Sequence, residues 1–166
     1  MRRAALALGL ALAHAPWPAL GEAIDPHLRR SLGTALDQPQ PATGRFAQQV
    51  WFKDYTRRLD RFLPDRAERR KLARMVFAEA RRAEIPPGLV FAVIDVESDF
   101  NRFAISPVGA RGLMQIMPFW QEEIGRPGDN LFRPRTNLRY GCTILRHYLD
   151  REGGDILKAL AAYNGS

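Results

Sequence analysis

Only one cysteine, Cys142, and three histidines, His14, His27 and His147, occur in the 166 residues. A lone thiol closes no internal disulfide, so the core has to hold the fold without a crosslink. Cys142 lies inside a helical pattern with no His or Asn at a spacing that would activate it. It reads as a small buried apolar residue rather than a nucleophile. The histidines are too far apart to form a zinc cluster by spacing, so neither a metal nor another cofactor is expected. Long apolar runs are missing too. Ala4 to Ala13 is too short for a stable membrane-spanning helix, and no internal repeat is visible. Acidic residues are outnumbered, 18 against 25 basic ones, for a net charge of +7.

That excess of positive charge invites a nucleic-acid reading, and its distribution argues against one. The basic residues Arg57, Arg58, Arg61, Arg66, Arg69, Arg70, Lys71 and Arg74 interleave with Asp54, Asp60, Asp65 and Glu68. Such a mixture is the solvated face of helices. No helix-turn-helix, zinc or aromatic RNA-binding motif accompanies it, so nucleic acid is not expected as a partner. A basic exterior does suit anionic polymers of the cell envelope.

Organisation along the chain is simple. Residues 1–23 read as a secretory signal peptide: Arg2-Arg3, the short apolar stretch, then Gly21 and Ala23 at the positions a signal peptidase reads. Cleavage after Ala15 would leave Pro16 next to the cut, so Ala23 is preferred. No Cys stands near the site for lipidation, so a stable membrane anchor is not expected, although an uncut leader would supply one. Residues 24–44, with Pro26, Pro39, Pro41, Gly33 and Gly44, read as a flexible mature N-terminus. Residues 45–166 form one mostly helical domain. Helices are expected over Phe46–Leu63, with Val50, Phe52, Tyr55, Leu59, Phe62 and Leu63 as its apolar positions, and from Pro64 to about Glu84. Three more are expected: Pro118–Ile124, closed by Gly125; Pro134–Glu152, closed by Gly153-Gly154; and Ile156–Tyr163, capped by Asp155. Between Phe100 and Met117, Gly, Pro and Ser break the pattern, which implies loops and a small β-ribbon.

The chemistry concentrates at Glu97. It ends the apolar run Leu89 to Val96, which opens after Pro86-Pro87, a favourable helix start. In a helix Val90, Val93, Ile94 and Glu97 share one face. A carboxyl at the end of such a face is hard to ionise and is either paired or held as an acid. An ordinary surface Glu at a helix C-terminus is the bland alternative, and the helix dipole disfavours it. Asp95 and Asp99 lie two residues away on either side; at roughly 200 degrees around a helix axis Asp95 faces away from Glu97, while Asp99, near the helix end, could turn back, although nothing local demands it. A mechanism using one carboxylate follows better than one using two.

Glu97-Ser98, then Gly112-Leu113-Met114-Gln115, Asn137 to Gly141, and Ala161-Ala162-Tyr163-Asn164 occur in order. Together they resemble the catalytic domain of the soluble lytic transglycosylases, over about residues 85 to 166. That resemblance implies a lysozyme-like fold and peptidoglycan glycan strands as substrate. It implies cleavage of the MurNAc-GlcNAc β-1,4 bond without water, leaving 1,6-anhydro-MurNAc ends. Glu97 would be acid and then base, and the substrate's own N-acetyl group would stabilise the sugar cation. Carried over by motif, Ser106, Gln115, Met117 and Tyr163 would line the groove, and Tyr163 would hydrogen-bond Glu97. Each also has a plainer role, Ser106 in a turn and Tyr163 in the core, while Met114 reads as core. Gly109 and Gly112 would permit a tight loop over the sugar, and Gly141 would pack closely against another helix.

Two features depart from the family pattern. Arg133-Pro134 stands where Asp-Pro commonly starts a helix. The sequence also stops at Ser166, where family members commonly continue with a Gly-rich loop and a further helix, so a C-terminally truncated domain is expected. A lysozyme-type hydrolase and a non-catalytic peptidoglycan-binding or secretion-accessory module remain the alternatives. Export to the periplasm or cell envelope makes the first testable expectation. N-terminal sequencing of the exported protein should begin at Ile24, and a mature protein that keeps Ala4 to Ala13 would overturn the assignment.

Overall fold

The computed structural model describes residues 45–165. The expected signal peptide and flexible N-terminus lie outside the described residues. Six α-helices follow in order: α1 (Arg45–Arg58), α2 (Arg66–Arg82), α3 (Pro87–Ser98), α4 (Trp120–Ile124), α5 (Pro134–Arg151) and α6 (Ile156–Asn164). The chain is mainly α, as its sequence implies. Among the described residues no helix is long and apolar enough to cross a membrane.

The first expected helix is shorter than its pattern. After α1 the chain tightens into a 3₁₀ turn, Leu59–Arg61, and both Phe62 and Leu63 donate their N–H to the Leu59 carbonyl. Pro64 disfavours helical geometry at the residue before it. Of the apolar positions expected here, Val50 is exposed. Its neighbour Trp51 packs instead, 4.6 Å from Phe77 and 3.6 Å from Tyr55 between ring centres, and Tyr55 stacks on Phe91 at 4.4 Å. This aromatic cluster fixes α1 to α2 and α3.

Helix α2 is central, packed against α1, α3 and α5. Asp65 caps it by accepting the Ala67 N–H at 2.8 Å. Its apolar stripe is largely inside: Leu72, Val76, Ala80 and Ala83 are buried, and Met75 is partly so. Helix α3 buries Gly88 through Ile94 without interruption. An apolar face on one side was expected; the first two turns are enclosed on all sides, as a helix apolar all round requires. Helices α5 and α6 pack together. Gly153 and Gly154 follow α5 with φ of +63° and +86°, and Asp155 caps α6 by accepting the Lys158 N–H. Cys142 is fully buried in this core, and burial pushes its thiol up to about 12.

The expected β-ribbon is reduced to two isolated antiparallel bridges, Ile105 with Arg111 and Arg111 with Ile116. Gly109, Gly112 and Gln115 all take positive φ, and these reversals stop the ladder from extending. Gly125 does close α4, but with extended geometry rather than a left-handed turn. What selects glycine there is the Tyr140 hydroxyl, which occupies the place of a side chain. Gly141 is explained in the same way. A Cβ on it would collide with the sulfur of Met114, so the close contact is with the loop before α4 and not with a helix.

This contact gives a stability prediction. Met114 is fully buried and cannot swing into solvent. Gly141→Ala should therefore cost about 1–3 kcal/mol through overpacking, even though alanine favours helices. Thermal melting checks it; an unchanged or higher Tm would show that the Met114 side chain has room to retreat.

Candidate active site

Glu97 occupies the last turn of α3, the helix whose buried start fixes its direction. Beyond it, Asp99 and Phe100 both take left-handed φ, 48° and 61°, which ends the helix and tucks Phe100 into the core. Glu97 itself is partly exposed. Its carboxyl is pushed up to about 7 by desolvation. Asp95 turns away and lies 3.5 Å from Arg61, while Asp99 is exposed. The carboxyl thus keeps its proton to near-neutral pH while remaining within reach of a ligand.

The loop Ala104 to Met117 is held beside Glu97 by side chains from helices α3, α5 and α6. The Ser98 hydroxyl donates to the Leu113 carbonyl at 2.8 Å, with the Ile94 carbonyl of its own helix at 3.2 Å. Asn137, 1% exposed, donates through Nδ2 to the carbonyls of Arg111 and Leu131 at 2.8 and 2.9 Å. Its Oδ1 accepts the Met114 N–H at 2.8 Å. The Tyr163 hydroxyl donates to the Met114 carbonyl, also at 2.8 Å. Gly112 lies so close to this clamp that a Cβ would sit 2.5 Å from Asn137 Nδ2 and 2.6 Å from the Leu131 carbonyl. Its role is therefore close approach as well as a φ of +76°.

The residues expected to line a groove divide by what they do here. Ser106 closes a turn: its hydroxyl accepts the Ala110 N–H at 3.0 Å, and its carbonyl accepts the Gly109 N–H at 2.9 Å. The Ser106 hydroxyl still has its proton to give. Gln115, at φ 45°, spends its amide N–H groups on the carbonyls of Gly112 (2.9 Å) and Ala104 (3.4 Å). This fixes the amide plane and leaves Oε1 as an acceptor. Met117 is partly buried, whereas Met114 is core. Tyr163 is buried, and its one proton is directed at Met114. Burial first, then the Glu97 charge, raises the phenol well above its usual range. Asn164 is exposed at the end of α6.

Ser98 and Asn137 are the residues whose function the sequence reading missed. Asn137 had a visible signal, because it falls on the same helical stripe as Gly141, Leu145 and Tyr148, where a polar side chain demands internal partners. Among the described residues no three His, Cys, Asp or Glu side chains gather as a metal site.

The chain is similar to a protein named transglycosylase from Enterobacteria phage PRD1, 40% identical over 88 residues, which are 53% of this chain and 32% of the phage protein. It is 37% identical over 90 residues to the soluble lytic murein transglycosylase of Escherichia coli K12, covering 49% of this chain and 14% of that protein. The chain thus spans about a third or less of these relatives. In three dimensions it resembles the crystal structure of the 70 kDa soluble lytic transglycosylase of Escherichia coli, with a TM-score of 0.51 and 28% identity. That match covers 82% of this chain and 22% of the larger one. Residues 74–166 match the family described as the transglycosylase SLT domain, and the chain belongs to that family.

Proposed function

We propose that this chain is a murein lytic transglycosylase of lysozyme-like architecture, exported to the cell envelope, with Glu97 as its single acid and base. The observation that carries the reading is the Glu97 carboxyl, desolvated to a pKa of about 7 at the edge of a loop held by Ser98, Asn137 and Tyr163. A general acid works best when its pKa lies near the working pH. Glu97 protonates the glycosidic oxygen between MurNAc and GlcNAc, and the C1–O bond breaks. The acetamido group of the same sugar stabilises the cation at C1. Glu97, now a carboxylate, removes the proton of the 6-hydroxyl, whose oxygen closes on C1 as a 1,6-anhydro ring. The proton returns to Glu97 and no water is consumed. Intramolecular attack draws on proximity within the bound sugar.

The neighbouring groups suit that substrate. Gln115 Oε1 accepts from an acetamido N–H or a sugar hydroxyl, and the Ser106 hydroxyl donates to a sugar oxygen. Met117 supplies an apolar wall. Tyr163 acts through Met114, holding the loop in register. The orientation of Asp95 towards Arg61 favours the one-carboxylate route over a hydrolase with a nucleophile pair.

Glu97→Gln should lower turnover of purified murein at least about a hundredfold, the contribution of one general acid, while Asp95→Asn and Asp99→Asn do far less. Mass spectrometry should find fragments one water lighter than lysozyme products; mainly hydrated reducing ends would defeat the transglycosylase reading. Activity should fall as pH rises through about 7, where Glu97 loses its proton. Stability has the same sign. The folded carboxyl titrates above its unfolded value of 4.5, so its contribution is full below that value and is lost as pH approaches 7. Glu97→Gln should therefore raise Tm at pH 8 and change it little at pH 4.

The loop clamp gives a separate outcome. Asn137→Asp keeps the acceptor for Met114 but removes the donors to Arg111 and Leu131. It should destabilise the fold by about 1–3 kcal/mol and lower kcat. Thermal melts and steady-state kinetics check both; normal kcat in a destabilised variant would confine Asn137 to the fold.

A further inference from the structure

Three apolar side chains stand in solvent on one short stretch of the loop after α3. Phe103, Ile105 and Val108 are 61, 65 and 63% exposed, more than any other large apolar residue described. The turn that carries them is fixed. The Ser106 carbonyl accepts the Gly109 N–H at 2.9 Å, and Ile105 is bridged to Arg111. The side chains are therefore presented with little further ordering cost. Phe132, from the segment before α5, meets Phe103 with ring centres 6.4 Å apart and extends the patch.

The patch is set among arginines. The Arg102 guanidinium lies over the Phe103 ring, 4.4 Å from its centre. Arg133 follows Phe132 in sequence, and Arg102, Arg133 and Arg135 border one cleft between α2 and the start of α5, so their charges converge. Among the described residues neither these three nor Arg111 form an ion pair. The two segments that build this face carry no carboxylate: no Asp or Glu occurs between Asp99 and Glu122, or between Asp129 and Asp150. Asp65 and Glu68, on the α2 wall of the cleft, are matched there by Lys71 and Arg74. Phe119 and Ile124 are exposed too, but α4 sets Glu122 and Glu123 beside them. Apolar exposure and uncommitted positive charge coincide around Phe103 and not around α4.

We infer that this face docks reversibly on an anionic lipid surface, with Phe103, Ile105 and Val108 at the acyl boundary and the arginines among the headgroup phosphates. Apolar tips ringed by cations have the composition of an interfacial contact. A glycan hydroxyl finds no hydrogen-bond partner on these three side chains, and Arg102 already covers one face of the Phe103 ring, where a sugar would stack. A phosphate polymer would use the arginines and leave the apolar tips in water. Single side chains projecting from a turn suit a fluid layer that closes around them, whereas a protein partner needs a shaped surface to match. The contact needs no covalent lipid, since the only thiol, Cys142, is buried. The same loop carries Ser106 and Gln115, so docking keeps the site around Glu97 close to the lipid. That consequence rests on the proposed function; the lipid contact does not.

Co-sedimentation of the full mature chain with vesicles tests the inference without murein, so its outcome is separate from that of the catalytic reading. The wild type should sediment with vesicles of phosphatidylglycerol mixed equally with phosphatidylcholine, and not with phosphatidylcholine alone. Added salt should weaken the binding by screening the arginines. Phe103→Ser combined with Ile105→Ser should weaken it about tenfold or more at unchanged net charge. Arg102→Gln combined with Arg133→Gln should weaken it as well and reduce its dependence on salt. All four side chains are exposed, and circular dichroism should show both variants folded. No binding to the anionic vesicles at low salt overturns the inference, as does equal binding to phosphatidylcholine alone. Unchanged binding of the folded Phe103 and Ile105 variant also overturns it, because net charge alone would then account for adsorption. If the chain ignores vesicles but captures an envelope protein through Phe103, the face is a protein interface and the lipid inference falls. Turnover of murein in the absence of vesicles should be the same in the Phe103 and Ile105 variant as in the wild type; its loss would place these side chains in the glycan site instead.

Discussion

The loop from Ala104 to Met117 has almost no secondary structure to stabilise it, and the site depends on how it is held. Side chains reach it from helices α3, α5 and α6, and each ends on a backbone group within three residues of Gly112: Ser98 on Leu113, Asn137 on Arg111 and Met114, Tyr163 on Met114. These are buried or half-buried hydrogen bonds, where an unmade partner costs more than a made one gains. Shifting any of these helices breaks at least one of them. The position of the loop over Glu97 is thus a readout of the packing of α3, α5 and α6 rather than a local property.

Much of this was legible in the sequence because it follows period and punctuation. Pro86-Pro87, Pro64, Asp155 and the Gly153-Gly154 pair each mark a helix boundary found close by in the fold. Glu97 stood out because a carboxyl closed an apolar run. What was not legible involves partners distant in sequence. The Trp51, Tyr55, Phe77 and Phe91 cluster joins α1, α2 and α3, and periodicity within α1 alone placed Val50 inside where Trp51 belongs. A β-ribbon was a fair expectation for a Gly-rich apolar segment. The left-handed Gln115 is what cuts the second bridge short, and a glutamine announces no such conformation. The role of Gly141 was legible as close packing, but its partner, Met114, lies on a loop.

Tyr163 illustrates how a motif fixes a residue without fixing its partner. The family pattern points to this tyrosine, and the fold brings it within electrostatic range of Glu97. A phenol has one proton to donate, and here it goes to Met114. Tyr163 therefore joins the structural clamp and the electrostatic environment of the site at once. Ser106 behaves similarly, since the turn uses its lone pair and the proton stays available to a ligand.

Two glutamates inside this one domain show how environment divides their work. Glu79 is buried at 4% exposure, more deeply than Glu97, and burial alone would push its carboxyl up. Arg139 and Arg82 reverse that: each hydrogen-bonds the carboxylate, at 2.9 and 2.6 Å, and the net shift is downward. Glu79 is an ionised brace between α2 and α5. Glu97 has the desolvation without the guanidinium, and its shift is upward. Burial pushes both carboxyls up, and only at Glu79 do guanidinium partners outweigh it. Counting partners as well assigns each its role, because a desolvated carboxyl keeps its proton only where no cation compensates it. In a protein with seven more basic than acidic residues, keeping every arginine away from Glu97 is itself a requirement of the fold. Asp95 pairs with Arg61 at 3.5 Å on a different face of α3 from Glu97.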